Sequence, residues 1–171
     1  MEQIKLSDIQ IRNHLAPGDL GYLAYIHGDL YAKECNYGLK FEAYVLEGLK
    51  EFALAYDPEK DKIWICEHQE KMIGCLVAQH RKEQLQFRYF ILQPEYRGIG
   101  LGKLLMQEFI DFMHSRNVKH AYLWTTADQD TTTALYERFG FKLTAENPSD
   151  HFGKAILERR FDLKIPEQST T

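Results

Sequence analysis

The first part of the chain has the pattern of one strand followed by two helices. Residues 8–13 alternate isoleucine with polar residues, which is typical of a strand. Apolar residues then recur every three or four positions in the segments 19–28 and 40–56, which predicts two amphipathic helices. We expect the first helix to begin with Asp19 as its N-cap.

The middle of the chain has the alternation of a β-hairpin and a third strand. Segments 63–67 and 72–80 are joined by a polar turn, and segment 84–92 is expected to pair with the second hairpin strand. Strict alternation would place Arg88 on the opposite face from four apolar side chains. These side chains are Leu85, Phe87, Tyr89 and Ile91.

The rest of the chain predicts two helices and three strands, with Gly140 as the residue that follows the second of these helices. The five segments are 101–116, 120–125, 130–139, 141–144 and 155–163. The full order is βααβββαβαββ, an α/β (α+β) fold with a mixed, mostly antiparallel sheet flanked by helices. We expect a single domain over 1–171 with a loose tail at 166–171.

Composition and charge describe a globular protein. The 171 residues suit one domain, and the 44% apolar and 27% charged residues are typical of a soluble chain. The net charge of -4 gives no sign of a nucleic-acid partner and disfavours an acidic membrane surface.

Cysteine usage and the N-terminal sequence bear on location and metal binding. Cys35, Cys66 and Cys75 have neither paired nor zinc-type spacing, so we expect no disulfide framework and no metal site. Cys66 and Cys75 stand in apolar stretches and should be small buried side chains. With no apolar leader and no apolar run near ~20 residues, a cytoplasmic location is predicted.

A glycine-rich loop carries the most specific chemical signal. Arg97 precedes Gly98, Gly100 and Gly102, and a helix pattern follows at once. Backbone N–H groups at a helix start bind anions, and glycine lets the chain approach a phosphate closely. The loop lacks the Gly-Lys-Ser/Thr of a phosphate-binding P-loop, and it follows a hairpin rather than a parallel βαβ unit. We therefore predict a pyrophosphate site of another kind rather than a bare turn.

Residues 90–105 resemble the central motif of the GCN5-related N-acetyltransferase (GNAT) family. Its core, Arg/Gln-x-x-Gly-x-Gly/Ala, is met by Arg97, Gly100 and Gly102, and residues 134–141 are similar to a second family signature. The order of elements agrees over nearly the whole chain. The resemblance implies a GNAT-like fold and transfer of an acetyl group from acetyl-CoA to a primary amine.

A narrower resemblance exists to the acetyltransferase half of bacterial proteins that fuse a MarR-type DNA-binding domain to such an enzyme. It is carried by the segments 27–34, 41–43, 123–125 and 147–153. The printed sequence has no counterpart of the DNA-binding half, so a freestanding enzyme is expected.

The family resemblance also implies which residues hold the coenzyme. The backbone of Ile91 and Leu92 would bind pantetheine, and Tyr136 would face the thioester sulfur and protonate the leaving thiolate. The pyrophosphate would lie on the loop, whose residues are Arg97, Gly98, Ile99, Gly100, Leu101, Gly102 and Lys103.

The general base is less determined by the sequence. Many family members use a carboxylate on the strand before the motif, but residues 84–89 contain none. Glu34 and Glu42, in the helical region that usually lines the acceptor site, are candidates for the base or for an anchor of a cationic amine. Glu42 could equally be a solvated helix residue. The candidate acceptor-binding residues are His27, Tyr31, Glu34, Glu42 and Arg88.

Several of these side chains have a structural alternative. His27 is interpreted as a polar residue at a helix end rather than as the base, and Arg88 either is solvated or anchors an acidic acceptor group. His151 could reach the site from the last loop, and Trp124 is interpreted as core. The acceptor would be a small molecule or a peptide, and the protein a monomer or homodimer.

Three functions are compatible with the glycine loop. The first is an N-acetyltransferase, the second a non-catalytic acyl-CoA sensor, and the third a dinucleotide-dependent oxidoreductase. Tyr136 at its motif position favours the enzyme over the sensor. The antiparallel strand order disfavours the oxidoreductase.

Overall fold

The computed structural model describes residues 4–166 and confirms the predicted order of elements. The predicted tail therefore lies, apart from Pro166, outside the described residues. The strands are β1 (Gln10–Arg12), β2 (Lys62–His68), β3 (Lys71–Arg81), β4 (Gln84–Leu92), β5 (His120–Thr126), β6 (Lys142–Ser149) and β7 (Ile156–Lys164). The helices are α1 (Asp19–Cys35), α2 (Leu39–Ala55), α3 (Leu101–Ser115) and α4 (Asp130–Arg138).

All seven strands form one sheet in the order β1-β2-β3-β4-β5-β7-β6. Every neighbouring pair is antiparallel except β4 and β5, which confirms the mostly antiparallel prediction. The parallel pairing joins only 85–87 to 121–123, although β4 continues to Leu92 and β5 to Thr126. Beyond this short ladder the two strands are not paired, which leaves the edge of β4 open in the middle of the sheet.

The sheet is covered by two hydrophobic clusters, one against each helix pair. One cluster joins Phe109 of α3 and Tyr136 of α4 to β4 and β5, and the other joins Leu23 of α1 and Leu49 of α2 to β2 and β3. Burying a side chain such as Leu or Phe contributes about 1.5–3 kcal/mol, so these two layers hold the elements in place. Cys66 and Cys75 are buried free thiols as predicted, and burial raises the pKa of Cys66 to about 12.

The first helix differs from its prediction in both length and capping. It runs to Cys35 rather than to residue 28, because an internal glycine costs only about 1 kcal/mol and the packing of α1 on α2 outweighs it. Gly18, with a φ of 98°, is the N-cap in place of Asp19. Asp19 begins the helix and accepts a hydrogen bond from the Ala16 N–H at 2.6 Å.

Strand β4 contradicts the predicted alternation at its centre. Ile91 pairs with Cys75 and Arg88 with Val77, so β4 has one residue more than β3 in this interval. Tyr89 takes up the extra residue with a φ of 52°, a left-handed conformation that is rare for an aromatic residue. Tyr89 and Ile91 therefore pack with the α1–α2 cluster, while Leu85 and Phe87 remain with the α3–α4 cluster.

Candidate active site

The glycine loop is a tight turn that ends on the first residue of α3. Gly98 and Gly100 have φ values of 79° and 93°, which residues with a Cβ rarely adopt, and Gly100 is the N-cap of α3. Leu101 is buried and anchors the helix start, whereas Gly98, Gly100 and Lys103 are exposed. The unpaired N–H groups of the first helical turn thus face solvent, where they are available to an anion.

Arg97 joins this loop to β4 and to the end of α1. Its Nε donates to the Leu92 carbonyl oxygen at 3.0 Å. Its two terminal nitrogens donate to the carboxylate of Glu34 at 2.7 and 3.2 Å. The structure therefore places Glu34 beside the predicted pyrophosphate loop, away from the residues that line the cavity.

A cavity of about 260 Å³ lies where β4 and β5 separate. Aromatic side chains form much of its wall: Tyr31, Phe41, Tyr44, Phe87, Tyr89, Phe90, Trp124, Tyr136 and Phe152. Polar groups are fewer: His27, Gln86, Arg88, Thr125, Thr126, Gln129, His151 and Glu158. A mostly apolar pocket with a few placed polar groups is typical of a small-ligand site.

Tyr136 is brought into this cavity by α4. Its side chain is only 5% exposed and its ring meets the ring of Phe87 edge-on at 5.6 Å. Burial raises the pKa of Tyr136 above its ordinary value, and the nearby Tyr31 adds to the shift. The phenol is therefore protonated at neutral pH and is able to donate a proton.

His27 lines the same cavity from α1 and is held in one tautomer. Its Nδ1 lies 2.7 Å from the Leu23 carbonyl oxygen, which can only accept, so Nδ1 carries the proton. Nε2 of His27 has no hydrogen-bond partner within 4–166, and it is not fully enclosed by other atoms. Because His27 lines the cavity, Nε2 is open to it. Burial lowers the pKa of His27 to about 4.

The other predicted acceptor residues fall into two groups. Tyr31 and Arg88 line the cavity, and Tyr31 donates to Gln129 at 3.3 Å. The guanidinium of Arg88 is bound to the Gln79 side chain at 2.9 Å, which leaves it less free to hold an acceptor. Glu42 is not among the lining residues. It lies against Gly28 of α1, where an added Cβ would be 2.9 Å from its Oε2.

Glu158 and Trp124 line the cavity, although the sequence pattern did not predict it. Glu158 is the one carboxylate that lines the cavity within 4–166, and it accepts a hydrogen bond from Ser149 at 2.5 Å. His151, the other candidate from the last loop, lies 3.0 Å from it. Trp124 is 38% exposed on the cavity rim, so its interpretation as core was wrong. Only the pairing of Glu158 with Thr126, across β7 and β5, could have located the carboxylate.

Among residues 4–166, no set of three or more His, Cys, Asp or Glu side chains is arranged to hold a metal ion. Within 4–166 there is also no helix with the length and hydropathy needed to cross a membrane.

Two solved acetyltransferases have a fold similar to that of this chain. An acetyltransferase from Streptococcus agalactiae superposes with a TM-score of 0.77 at 20% identity, covering 94% of this chain and 100% of that one. A GNAT family acetyltransferase from Elizabethkingia anophelis, solved with acetyl-CoA bound, gives a TM-score of 0.67 at 14% identity, covering 92% and 99%. At these identities the similarity establishes the fold.

Curated relatives match the chain over a shorter stretch. Human N-acetyltransferase 8B is 28% identical over 90 residues, which are 49% of this chain and 40% of that protein. The probable N-acetyltransferase camello of Xenopus tropicalis is 33% identical over 82 residues, covering 46% and 37%. The chain thus spans less than half the length of these relatives. The narrower resemblance to MarR fusion proteins stays a prediction.

The sequence profile of the acetyltransferase (GNAT) family matches residues 29–141. This match includes the end of α1, all of α2, the glycine loop and Tyr136. It covers well over half of the chain and confirms the family predicted from the loop. The chain therefore belongs to the acetyltransferase (GNAT) family.

Proposed function

We propose that this protein moves an acetyl group from acetyl-CoA to a primary amine of a small molecule or peptide by direct transfer. The proposal rests on how the glycine loop, β4 and the cavity are connected. Only the four residues 93–96 separate β4 from the glycine loop, and the open edge of β4 leads into the cavity that Tyr136 lines. A coenzyme with its pyrophosphate on the loop would run along β4 and present its thioester near Tyr136.

The donor would be held mainly by backbone groups. The helix start at Gly100 offers N–H groups to the pyrophosphate. The edge of β4 beyond residue 87 has no strand partner, so its backbone groups are offered to pantetheine, apart from the Leu92 carbonyl, which accepts from Arg97. A backbone N–H on this edge would polarise the thioester carbonyl as negative charge develops on its oxygen. The residues proposed for this role remain Ile91 and Leu92.

Tyr136 would complete the donor half of the reaction. As the bond between the carbonyl carbon and sulfur breaks, a thiolate forms, and the protonated phenol is suited to neutralise it. This use of Tyr136 separates an enzyme from an acyl-CoA sensor, since a sensor needs no proton donor at the sulfur. The cavity also provides a place for a second substrate, because exposed Tyr44 and Trp124 stand on its rim.

A direct assay tests the proposal. The full chain is incubated with acetyl-CoA and a panel of amines that includes a polyamine, free amino acids, an aromatic amine and a lysine-containing peptide. Release of free coenzyme thiol is followed, and the acetylated product is identified by mass. We expect thiol release that depends on one class of amine. Tight acetyl-CoA binding with no transfer to any amine would support the sensor instead.

A further inference from the structure

His27 presents an unprotonated ring nitrogen to the interior of the acceptor cavity. The Leu23 carbonyl fixes the proton on Nδ1. The ring plane is fixed by two aromatic neighbours: Tyr31 stacks on His27 with ring centroids 6.0 Å apart, and Tyr89 contacts it edge-on with centroids 5.7 Å apart. Nε2 is therefore a lone-pair acceptor whose direction is set before any ligand arrives. Such a preorganised nitrogen is the usual form of a histidine general base.

We propose that Nε2 of His27 takes the proton from the attacking amine. This inference rests on the proposed acetyltransferase function and names the base of that same site. A base must lie in the cavity and have a free acceptor atom, and His27 meets both conditions.

The carboxylates of the region meet these conditions less well. Glu34 is bound to Arg97 at the glycine loop, and Glu42 does not line the cavity. Glu158 lines it, but one of its oxygens already accepts from Ser149 and lies 3.0 Å from His151. The position of Glu158 on β7 suits an anchor for a positively charged part of the acceptor rather than the base.

The proposed step conserves atoms and charge. The neutral amine attacks the thioester carbonyl carbon, and its nitrogen becomes a strong acid as the new C–N bond forms. Nε2 of His27 takes that proton, the C–S bond breaks, and the thiolate takes the phenol proton of Tyr136. Transfer of the proton from His27 to the Tyr136 phenolate through solvent restores both groups. The products are the amide and free coenzyme thiol.

The proposal also determines how activity depends on pH. His27 is neutral above pH about 5 because burial holds its pKa near 4, so its own titration does not limit activity near neutrality. Activity should rise with pH as the acceptor ammonium loses its proton, with a midpoint that follows the pKa of the acceptor. The titratable or charged groups that face His27 across the cavity are Tyr31, Tyr44, Arg88, Tyr89, Tyr136, His151 and Glu158.

Substitution of His27 tests the inference with the amine found in the assay above. His27→Asn retains a donor for the Leu23 carbonyl and removes Nε2, and His27→Gln retains the length without a basic nitrogen. We expect kcat/KM for the amine to fall at least ~10²-fold in both variants, with acetyl-CoA affinity unchanged by calorimetry. His27→Gly should recover activity on addition of imidazole, with saturation, because only a replaced base responds to it.

The possible outcomes distinguish failure of the proposed acetyltransferase function from failure of His27 as its base. A parent protein that acetylates no amine would reject the proposed function itself. An active parent with a folded Asn or Gln variant of equal activity would reject only His27 as the base. If those variants do not fold, the Gly variant decides the matter with imidazole present during refolding and assay. Absence of rescue in that folded variant would likewise overturn the inference.

Discussion

The glycine loop and the acceptor cavity are built in opposite ways. The loop at residues 97–103 comes from one continuous stretch, and its proposed role in coenzyme binding depends on backbone N–H groups and on glycine conformations. The cavity takes its side chains from α1, α2, β4, β5, α4 and β7, which only the folded sheet brings together. A local site can be recognised as a motif, whereas a site assembled from distant segments has no motif of its own.

The two regions should also respond differently to substitution. Changes in the loop should affect coenzyme affinity, since the pyrophosphate contributes binding in the ground state as well as in the transition state. Changes in the cavity should affect turnover or the Michaelis constant for the amine, because these groups act on the reacting atoms or on the acceptor. Four substitutions test this division, from the largest expected effect to the smallest.

Tyr136→Phe should give the largest loss among these four. The substitution removes one oxygen and retains the ring that packs on Phe87, so the fold and coenzyme affinity should survive. Turnover should fall by ~10²-fold or more, the usual scale for removal of a positioned general acid. Steady-state kinetics with saturating acetyl-CoA measure this effect in kcat.

A matched control comes from the far end of α2. Tyr56 packs edge-on against Phe52 at 5.4 Å and does not line the cavity, so Tyr56→Phe should leave kcat unchanged. Full turnover in Tyr136→Phe would remove the general-acid role, because a coenzyme thiolate is able to leave without one.

Gly100→Ala should weaken coenzyme binding without changing the chemistry of the cavity. Gly100 has a φ of 93°, and a left-handed conformation costs a residue with a Cβ about 1–2 kcal/mol. The strained loop would turn its N–H groups away from the pyrophosphate. We expect acetyl-CoA affinity to fall ~10-fold, equivalent to about 1.4 kcal/mol.

Gly140 provides the control for backbone strain alone. It follows α4 with a φ of 91°, but it is neither in the glycine loop nor in the cavity lining. Gly140→Ala should lower the free energy of unfolding by a similar amount and leave acetyl-CoA affinity unchanged by calorimetry. Equal losses of affinity in both variants would show that the effect of Gly100 is general destabilisation.

The sequence predicted the loop side of the protein better than the cavity side. Periodicity and one motif were enough to predict the element order, the antiparallel sheet, Gly140 after α4 and the family itself. The bulge at Tyr89 could not be predicted, because an alternating pattern contains no sign of an inserted residue. That bulge turns Tyr89 towards α1 and α2, where it contacts His27.

The same limit explains why the residues that line the cavity differ from the predicted acceptor residues. The family resemblance implied that the region of Glu34 and Glu42 lines the acceptor site, yet the ends of α1 and α2 direct these two side chains to Arg97 and to Gly28. Glu158 enters through the pairing of β7 with β5, a contact between segments more than 30 residues apart. Long-range pairing of this kind is set by the whole sheet.

Glu158→Gln should have an intermediate effect that depends on the acceptor. The change retains size and removes the one carboxylate that lines the cavity within the described residues. If Glu158 attracts a cationic acceptor, KM for that amine should rise about 5-fold, with little change in kcat. This rise corresponds to the loss of roughly 1 kcal/mol of attraction in the ground state. An uncharged aromatic amine should show no such rise.

Glu42→Gln is the matched substitution outside the cavity. It removes an equal charge from α2, so it should leave KM for every amine close to that of the parent. A rise in KM for Glu42→Gln with none for Glu158→Gln would return Glu42 to the acceptor site and remove Glu158 from it.

The smallest effect is expected at the pair that joins α1 to the glycine loop. Glu34 accepts two hydrogen bonds from Arg97, and both side chains are partly exposed. An exposed pair of this kind contributes only about 0–1 kcal/mol, so loss of the pair should hardly affect the stability of the fold. Glu34 should weaken the binding of an anionic ligand, because its carboxylate offsets the positive charge that Arg97 adds beside the loop.

Glu34→Gln should therefore tighten acetyl-CoA binding about 2- to 3-fold, equivalent to about 0.5 kcal/mol, and more at low salt than at high salt. Titration calorimetry at two ionic strengths measures both the gain and its screening. Arg97→Gln provides the opposite change and should weaken binding in the same experiment. Weaker binding in Glu34→Gln would instead mean that the pair orients Arg97 for the pyrophosphate, so that the carboxylate assists the loop rather than competing with its ligand. Turnover should stay the same in either case, since Glu34 does not line the cavity.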